Sequence, residues 1–173
     1  MANIKWVGGA STAAQISTIT LNNDTNDSET ALTVTITQEG GGTQAVAITP
    51  SGTDESVIAA AMHAALVAST LLDFTAITWT VASNVITGTA NTAGIPFKVA
   101  AAYTGGAGTT TVATPTANTG PHDYNTVGNY EAGAKPSGSD ILRVTGSYDI
   151  LYGLDQSSIT LGALNIGKDF TGT

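Results

Sequence analysis

The sequence has no cysteine and few charged residues. Without cysteine the chain can form neither disulfides nor thiolate metal sites, and it has no cysteine nucleophile. Charged residues make up only 10% of the 173 residues, and 13 acidic against 5 basic side chains give a net charge of -8. Nucleic-acid binding is therefore not expected, because no basic patch is available to neutralise phosphates.

The sequence also lacks long hydrophobic runs. No stretch approaches the roughly 20 apolar residues that a membrane-spanning helix needs, and residues 1–6 contain no apolar region of the signal-peptide kind. We therefore expect no membrane insertion, and we expect synthesis in the cytoplasm without a signal peptide.

Recognisable catalytic and cofactor motifs are missing as well. The chain has two histidines, and neither His63 in a charge-free segment nor His122 beside Asp123 favours a catalytic triad. The glycines at 40–42 precede no Gly-Lys-Ser/Thr motif, which argues against a phosphate-binding loop. We predict no catalytic residues, no cofactor and no metal site, and hence a protein that is not an enzyme.

The polar segment 22–29 is a candidate for weak cation binding. Its acids Asp24, Asp27 and Glu29 could hold Ca²⁺ through oxygen ligands, but the segment lacks the glycine and the distant bidentate glutamate of an EF-hand loop. A solvated turn rich in Asn and Asp is the favoured interpretation.

Residues 53–72 are predicted to form the one helix of the chain. Ser51 and Thr53 are suitable N-caps, and the acids that follow complement the positive end of the helix dipole. Helical spacing predicts a core face made of Val57, Ile58, Ala61, Met62, Ala65 and Leu66. The outward face carries no charge and consists of Ala59, Ala60, His63 and Val67. Because a solvent-facing helix normally carries charge, we expect a second layer of the chain, or another copy of it, to cover this face.

Short alternating segments predict strands on both sides of this helix. Residues 31–37 and 44–49 predict one hairpin, and residues 75–81 and 85–89 predict a second. Further strands are predicted at 15–21, 95–103 and 109–114. The expected fold class is mainly β (α+β), with an antiparallel sheet and one helix between two hairpins, followed by a short β-solenoid-like C-terminal segment.

Turn residues dominate 115–121, which predicts a domain boundary. We expect a hairpin-helix-hairpin domain over 1–114, a linker over 115–121 and a short β-rich segment over 122–173. Residues 1–14, with Trp6, suit an N-terminal arm or edge strand rather than a core element.

Strands in the C-terminal segment are predicted at 141–144, 149–152, 158–161 and 163–166. Their spacing is similar to that of β-solenoid rungs, and a solenoid needs about three stacked repeats to bury a core. This segment is therefore expected to pack against the first domain, to continue in a longer protein or to pair with other copies.

Parts of the sequence resemble structural proteins of tailed-bacteriophage virions. The segment that leads into a β-helix in those proteins is similar to Asp123-Tyr124-Asn125, Asn129-Tyr130, Gly133, Pro136, Asp140, Tyr152-Gly153-Leu154-Asp155, Leu164-Asn165-Ile166 and Phe170. Their N-terminal module is similar to Trp6-Val7-Gly8-Gly9 and Asn91-Thr92-Ala93-Gly94-Ile95-Pro96-Phe97. The family usually has tryptophan where Tyr124 and Tyr130 stand here. The resemblance implies a virion structural protein and supplies no catalytic residues.

We therefore expect a non-enzymatic phage virion protein, above all a capsid decoration or cement protein, or else a tail or head-fibre component. It would reside in the virion, form a homotrimer and contact a major capsid or tail protein. The candidate interface residues are Ala59, Ala60, His63, Val67, Trp6, Tyr124, Tyr130 and Tyr152. The alternative is a carbohydrate-binding adhesin module that uses the tyrosines of 122–152 to bind a surface glycan, and a polysaccharide-degrading β-helix enzyme is a third hypothesis.

Overall fold

The computed structural model of the protein describes residues 2–22, 29–38, 42–147, 149–150 and 157–172. The strands are β1 (Asn3–Lys5), β2 (Ile16–Asn22), β3 (Ala31–Gln38), β4 (Thr43–Ile48), β5 (Ile77–Ala82), β6 (Val85–Ala90), β7 (Phe97–Thr104), β8 (Thr109–Thr116), β9 (Ile141–Val144) and β10 (Ala163–Ile166). The helices are α1 (Glu55–Ala68), α2 (Leu72–Thr75) and a 3-10 turn at Val127–Asn129. The predicted fold class, mainly β with antiparallel sheets and one principal helix, is confirmed.

Strands β3, β4 and β7 form one antiparallel sheet in the order β4-β3-β7. Alternation sets the two faces of β3, because Leu32, Val34 and Ile36 are fully buried while the threonines between them are partly exposed. The hairpin of β3 and β4 pairs Leu32 with Ile48 and Val34 with Val46. The first predicted hairpin is therefore confirmed.

A second antiparallel sheet has the order β5-β6-β2-β8. The second predicted hairpin is confirmed, since β5 pairs with β6 and Trp79 lies opposite Gly88. A Cβ at position 88 would lie 2.8 Å from Trp79 Cζ3, so glycine leaves room for the indole. Strand β8 is at the sheet edge, where Pro115 is tolerated because its missing N–H is not needed.

Helix α1 and the two antiparallel sheets share one hydrophobic core. The helix contributes the fully buried row Ile58, Met62 and Leu66. The sheets and α2 contribute Ile19, Leu21, Leu32, Val34, Ile36, Phe74, Ile77, Trp79, Ile86, Phe97 and Val99. Burying a side chain of this size stabilises the fold by roughly 1.5–3 kcal/mol. We call this part of the molecule the first unit and assign it residues 14–116.

The helix is shorter than the predicted 53–72. Ser69 ends α1 in an extended conformation with ψ 134°, and Leu71 is likewise extended with ψ 133° before the short turn of α2. No helix of the described residues is long and apolar enough to cross a membrane.

The helix is also rotated relative to the prediction. Val57 and Ala61, predicted to face the core, are exposed, whereas Ala59, predicted to face outward, is fully buried. In a helix of almost uniformly apolar residues the alanines provide little contrast, so the large Ile58-Met62-Leu66 row determines which face packs inward.

Strands β1, β9 and β10 form a separate sheet in the order β1-β9-β10, and both pairings are parallel. Ala2 N donates a hydrogen bond of 2.7 Å to Asp140 Oδ1 and so fastens the start of β1. This bond and another from Ser137 N hold the pKa of Asp140 below its ordinary value of 3.8.

Residues 3–5 thus form an edge strand as predicted, but the expectation that the arm lies outside a core was wrong, because Ile4 and Trp6 are buried.

Three aromatic side chains dominate the second hydrophobic core. Trp6 stacks on Tyr124 with ring centroids 6.4 Å apart and meets the edge of Tyr130 at 5.1 Å. Tyr130 Oη donates a hydrogen bond of 2.7 Å to Tyr124 O. The other buried members are Ile4, Leu142 and Val144. We call residues 2–6 together with 122–172 the second unit.

The C-terminal strands agree only in part with the predicted rungs. Residues 141–144 and 163–166 are strands, residues 158–161 are turn and irregular structure, and residues 151–152 lie outside the described residues. A closed solenoid therefore stays a prediction. Strand β8 extends to Thr116, which lies inside the predicted linker. The first strand of the second unit, β1, comes from residues that the prediction assigned to the N-terminal domain.

Candidate interaction surface

The four predicted interface residues of α1 have different environments. Ala60 and Val67 are exposed, Val67 by 60%. Ala59 is fully buried against the first core, so its predicted place on the outer face was wrong. His63 is half-buried, and its Nε2 lies 3.2 Å from Trp79 O, which links the helix to β5.

The predicted aromatic interface residues lie inside the second unit. Trp6, Tyr124 and Tyr130 are only 0%, 2% and 3% exposed. They pack on one another and are not accessible on the surface of the chain, so the prediction that they form an interface was wrong. Tyr152 lies outside the described residues.

The outer face of α1 is an exposed stripe of apolar side chains. It consists of Val57, Ala60, Ala61, Ala64, Val67 and Ala68, which recur at helical spacing opposite the buried row. The two valines are 55% and 60% exposed. After Glu55 the helix has no charged residue. We call this stripe the helix patch.

Apolar exposure continues beyond the end of α1. Leu71 and Leu72 are 38% and 78% exposed, although leucine is usually buried. A groove of about 390 Å³ lies next to the helix, and its lining includes Val67, Phe74 and Trp79. Exposed apolar surface of this kind often marks a site of protein–protein contact.

The start of α1 is polar and well capped. Asp54 Oδ1 accepts hydrogen bonds from Ser56 Oγ at 2.6 Å and from Ser56 N at 2.9 Å, with a longer bond from Val57 N. These bonds lower the pKa of Asp54 below its ordinary value of 3.8. The N-cap is therefore Asp54 rather than the predicted Ser51 or Thr53.

The outer edge of β10 is a second uncovered surface. Ile4, Leu142 and Leu164 are in register across the parallel sheet, and Leu142 is fully buried while Leu164 is 43% exposed. Ile166 is 60% exposed, although its neighbour Val144 is buried. Among the described residues no strand pairs with this edge, so its backbone can accept another strand. We call β10 with Leu164 and Ile166 the ladder edge.

The described residues show no arrangement typical of a catalytic centre. They contain no group of three or more His, Cys, Asp and Glu side chains that could hold a metal. His122 Nδ1 lies 2.9 Å from Asp149 O and so contacts a backbone carbonyl rather than a neighbouring carboxylate. Asp24 and Asp27 of the predicted polar turn lie outside the described residues, whereas Glu29 lies within them and is buried.

Sequence reasoning missed several residues of these surfaces. Val57 has the hydrophobicity of a core residue, and only its position relative to the Ile58-Met62-Leu66 row places it outside. Leu164 and Ile166 alternate as core residues do, and only the stacking order of the strands reveals that nothing covers them. The exposed Leu71-Leu72 pair was included in the predicted helix, where its exposure could not be foreseen.

Comparison with known proteins gives no family assignment, since no family model matches the sequence and no curated protein is significantly similar to it. We therefore infer a function from the helix patch, from the ladder edge and from the resemblance noted in the sequence.

Proposed function

We propose that the protein is a non-enzymatic structural component of a phage virion, which strengthens the particle by binding to its surface. A capsid decoration or cement protein is the first candidate, and a tail or head-fibre component is the second. The observation that carries the proposal is the helix patch, an exposed and charge-free apolar stripe. The resemblance of 123–130 and 91–97 to tailed-bacteriophage proteins supports the virion as its location.

The helix patch suits a neutral protein surface. Removing a charge from water is costly unless the charge is paired, and the patch contains none to remove. Each Å² of apolar surface that becomes buried contributes about 25 cal/mol. Specific interfaces usually bury about 1,200–2,000 Å² in total, so the exposed Leu71-Leu72 pair and the adjacent groove would extend the contact.

A homotrimer is the assembly that we propose, with the ladder edge between copies. β10 lies at the sheet edge with no strand paired to its outer side among the described residues, whereas on the outer side of β1 Lys5 O already accepts a hydrogen bond of 3.0 Å from Glu131 N. Contact of the ladder edge of one copy with a different surface of the next copy is heterologous, and such contacts produce a ring when the rotation closes. The helix patch would then remain available to the particle.

The trimer is tested by Ile166→Glu, which places a charge on the ladder edge without altering the buried core. Light scattering of the wild type should give three times the chain mass of 17.3 kDa, and the variant should give one chain mass. A matched control, Ala132→Glu, adds the same charge to an exposed turn of the second unit and should remain trimeric. A wild type of one chain mass would contradict the proposed assembly.

The carbohydrate-binding alternative depended on accessible tyrosines. Tyr124 and Tyr130 are buried, so neither ring can stack on a sugar. No described feature favours this alternative over a structural role.

The functional experiment compares virus particles that carry the protein with particles that lack it. Both are challenged by heat and by osmotic shock, at low salt and at molar salt. We expect the protein to protect the particle at both salt concentrations, because screening weakens charge pairs but leaves apolar burial largely intact. Equal survival with and without the protein would exclude a cementing role.

A further inference from the structure

Strand β4 is a second sheet edge to which another strand can bind. It ends the sheet β4-β3-β7 and pairs with β3 without a register shift from Thr43 to Ile48. In the edge strand of an antiparallel sheet, alternate residues direct their N–H and C=O groups away from the neighbouring strand. Among the described residues only the backbone of β3 binds to the backbone of β4. β4 also has no charge and no proline, which edge strands commonly use to prevent pairing.

The other sheet edges within the described part of the chain are covered. Helix α1 packs along β5, where His63 Nε2 is 3.2 Å from Trp79 O. β7 and β8 face each other, since Thr110 Oγ1 donates a hydrogen bond of 2.5 Å to Ala101 O. The backbone of Glu131 donates a hydrogen bond of 3.0 Å to the last carbonyl of β1. Only β4 and the ladder edge therefore stay uncovered among these residues.

The two uncovered edges have matching side-chain patterns. In β4, Val46 and Ile48 are partly buried against the first core and alternate with exposed alanines. In β10, Leu164 and Ile166 are 43% and 60% exposed and alternate with uncharged residues. Because side chains alternate between the faces of a strand, pairing of the two strands can bring these four aliphatic side chains together on one face. Such a contact buries apolar surface and removes no charge from water.

We propose that the ladder edge of one copy pairs with β4 of the next copy. This inference rests on the proposed homotrimer and identifies the surface of the next copy that the ring requires. Pairing of β4 with β4, or of β10 with β10, would be isologous and would produce a dimer. It would also leave the other edge of each copy uncovered. A contact between β10 and β4 is heterologous, and a closed ring of three copies covers both edges of every chain.

Chemical cross-linking tests which strands meet. The chain contains no cysteine, so introduced thiols report only on the chosen positions. Ala45→Cys/Asn165→Cys places one thiol on β4 and one on β10, both at exposed positions. On paired strands, residues that face each other have Cβ atoms about 4.5–5.5 Å apart, and diagonal neighbours are about 7–8 Å apart. A short bismaleimide can therefore join the thiols in more than one register, and we expect cross-linked dimers and trimers on denaturing gels.

Three matched variants control for chance encounters. Ala45→Cys alone and Asn165→Cys alone should run as single chains after the same treatment, because like strands do not meet in the proposed ring. Ala45→Cys/Ala132→Cys has the same number of thiols, but position 132 follows Glu131 at the outer side of β1, away from the ladder edge. It should also run as single chains. Circular dichroism checks that every variant is folded.

Hydrogen exchange gives a second measurement that needs no cysteine. Ile166→Glu changes the second unit, yet it should make the outward amides of β4 in the first unit exchange at least tenfold faster. The amides of β3 should remain protected, because β3 is paired on both sides within the chain. The matched control, Ala132→Glu, should leave the exchange of β4 as in the wild type.

The outcomes separate this inference from the trimer itself. A wild type of three chain masses in which Ala45→Cys/Asn165→Cys forms no cross-links would overturn the strand pairing and leave the trimer standing. Cross-linked dimers of either single-cysteine variant would show that like strands meet, which also overturns it. Unchanged exchange of β4 in a monomeric Ile166→Glu would have the same consequence. A wild type of one chain mass would overturn both this inference and the trimer.

Discussion

The first and second units bury their cores in different ways. The core of the first unit is assembled from one continuous length of chain, in which hairpins and a helix follow each other between residues 14 and 116. The core of the second unit brings Ile4 and Trp6 from the start of the chain onto Tyr124, Tyr130 and Leu142. The first core is also larger, whereas the second relies on three interlocking aromatic rings.

This difference indicates that the units have unequal independence. The first unit contains nearly all the side chains that its core needs. The second unit loses the β1 partner of β9 and the central ring of its core when residues 2–6 are absent. It should therefore be the part of the molecule that separates first.

The largest effect is expected when the chain is divided. Residues 122–173 alone should be largely disordered, because fixing the backbone costs about 1–2 kcal/mol per residue and little apolar surface remains to offset it. Residues 7–121 alone should still fold. Circular dichroism and thermal melting check both fragments, and a cooperative transition of monomeric 122–173 would contradict the comparison.

Trp6→Ala should be the most damaging single substitution in the second unit. Trp6 is fully buried between two aromatic rings, and truncating such a residue costs about 3–5 kcal/mol. Hydrogen exchange should show loss of protection in β9 while β2 and β3 remain protected. The counterpart in the first unit, Phe74→Ala, should instead reduce the protection of β3 and β5, and a uniform loss in both variants would show that the units are not separable.

Tyr130→Phe tests the polar part of the second core. The substitution removes the donor of the 2.7 Å bond to Tyr124 O, and a buried acceptor that loses its donor costs about 1–3 kcal/mol. Urea unfolding measures the change. Tyr103→Phe is the control, since that hydroxyl has no hydrogen-bond partner among the described residues and its loss should cost little.

The smallest expected effect is on the stability of the fold at acid pH. Asp54 in the first unit and Asp140 in the second both have a pKa below 3.8, because backbone and serine donors bind their ionised forms. The stability that each contributes is present above about pH 4 and is lost as the pH falls through the lower, folded-state pKa. Asp54→Asn and Asp140→Asn should each flatten the acid limb of the stability curve, which is the part where the free energy of unfolding decreases as the pH is lowered. An unchanged acid limb in both variants would show that these caps do not contribute.

The sequence predicts local elements well and long-range ones poorly. Alternation in Leu32-Val34-Ile36 and the turn at Ser83-Asn84 specify both hairpins, because each depends on neighbouring residues. The parallel pairing of Ile4 with Leu142 has no local signal, so the N-terminal strand was placed outside the core. The rotation of α1 could not be predicted because its faces differ mainly in side-chain size.

The sequence predicted that the outer face of α1 is apolar and uncharged, but it did not predict every residue that lies on that face. The absence of charge after Glu55 indicates a face that can be buried, and Ala60 and Val67 do lie on the exposed side. The ladder edge depends on which strand has no neighbour in the folded sheet, and this order of strands has no local signal in the sequence.

Binding of the purified protein to virus particles that lack it tests the central role of the helix patch most directly. Ala64→Glu places a charge on the patch opposite the buried row, and Ala132→Glu is the matched control outside it. Cosedimentation at molar salt should recover the wild type and Ala132→Glu with the particles and should leave Ala64→Glu in solution. Equal recovery of all three proteins would contradict the role of the helix patch.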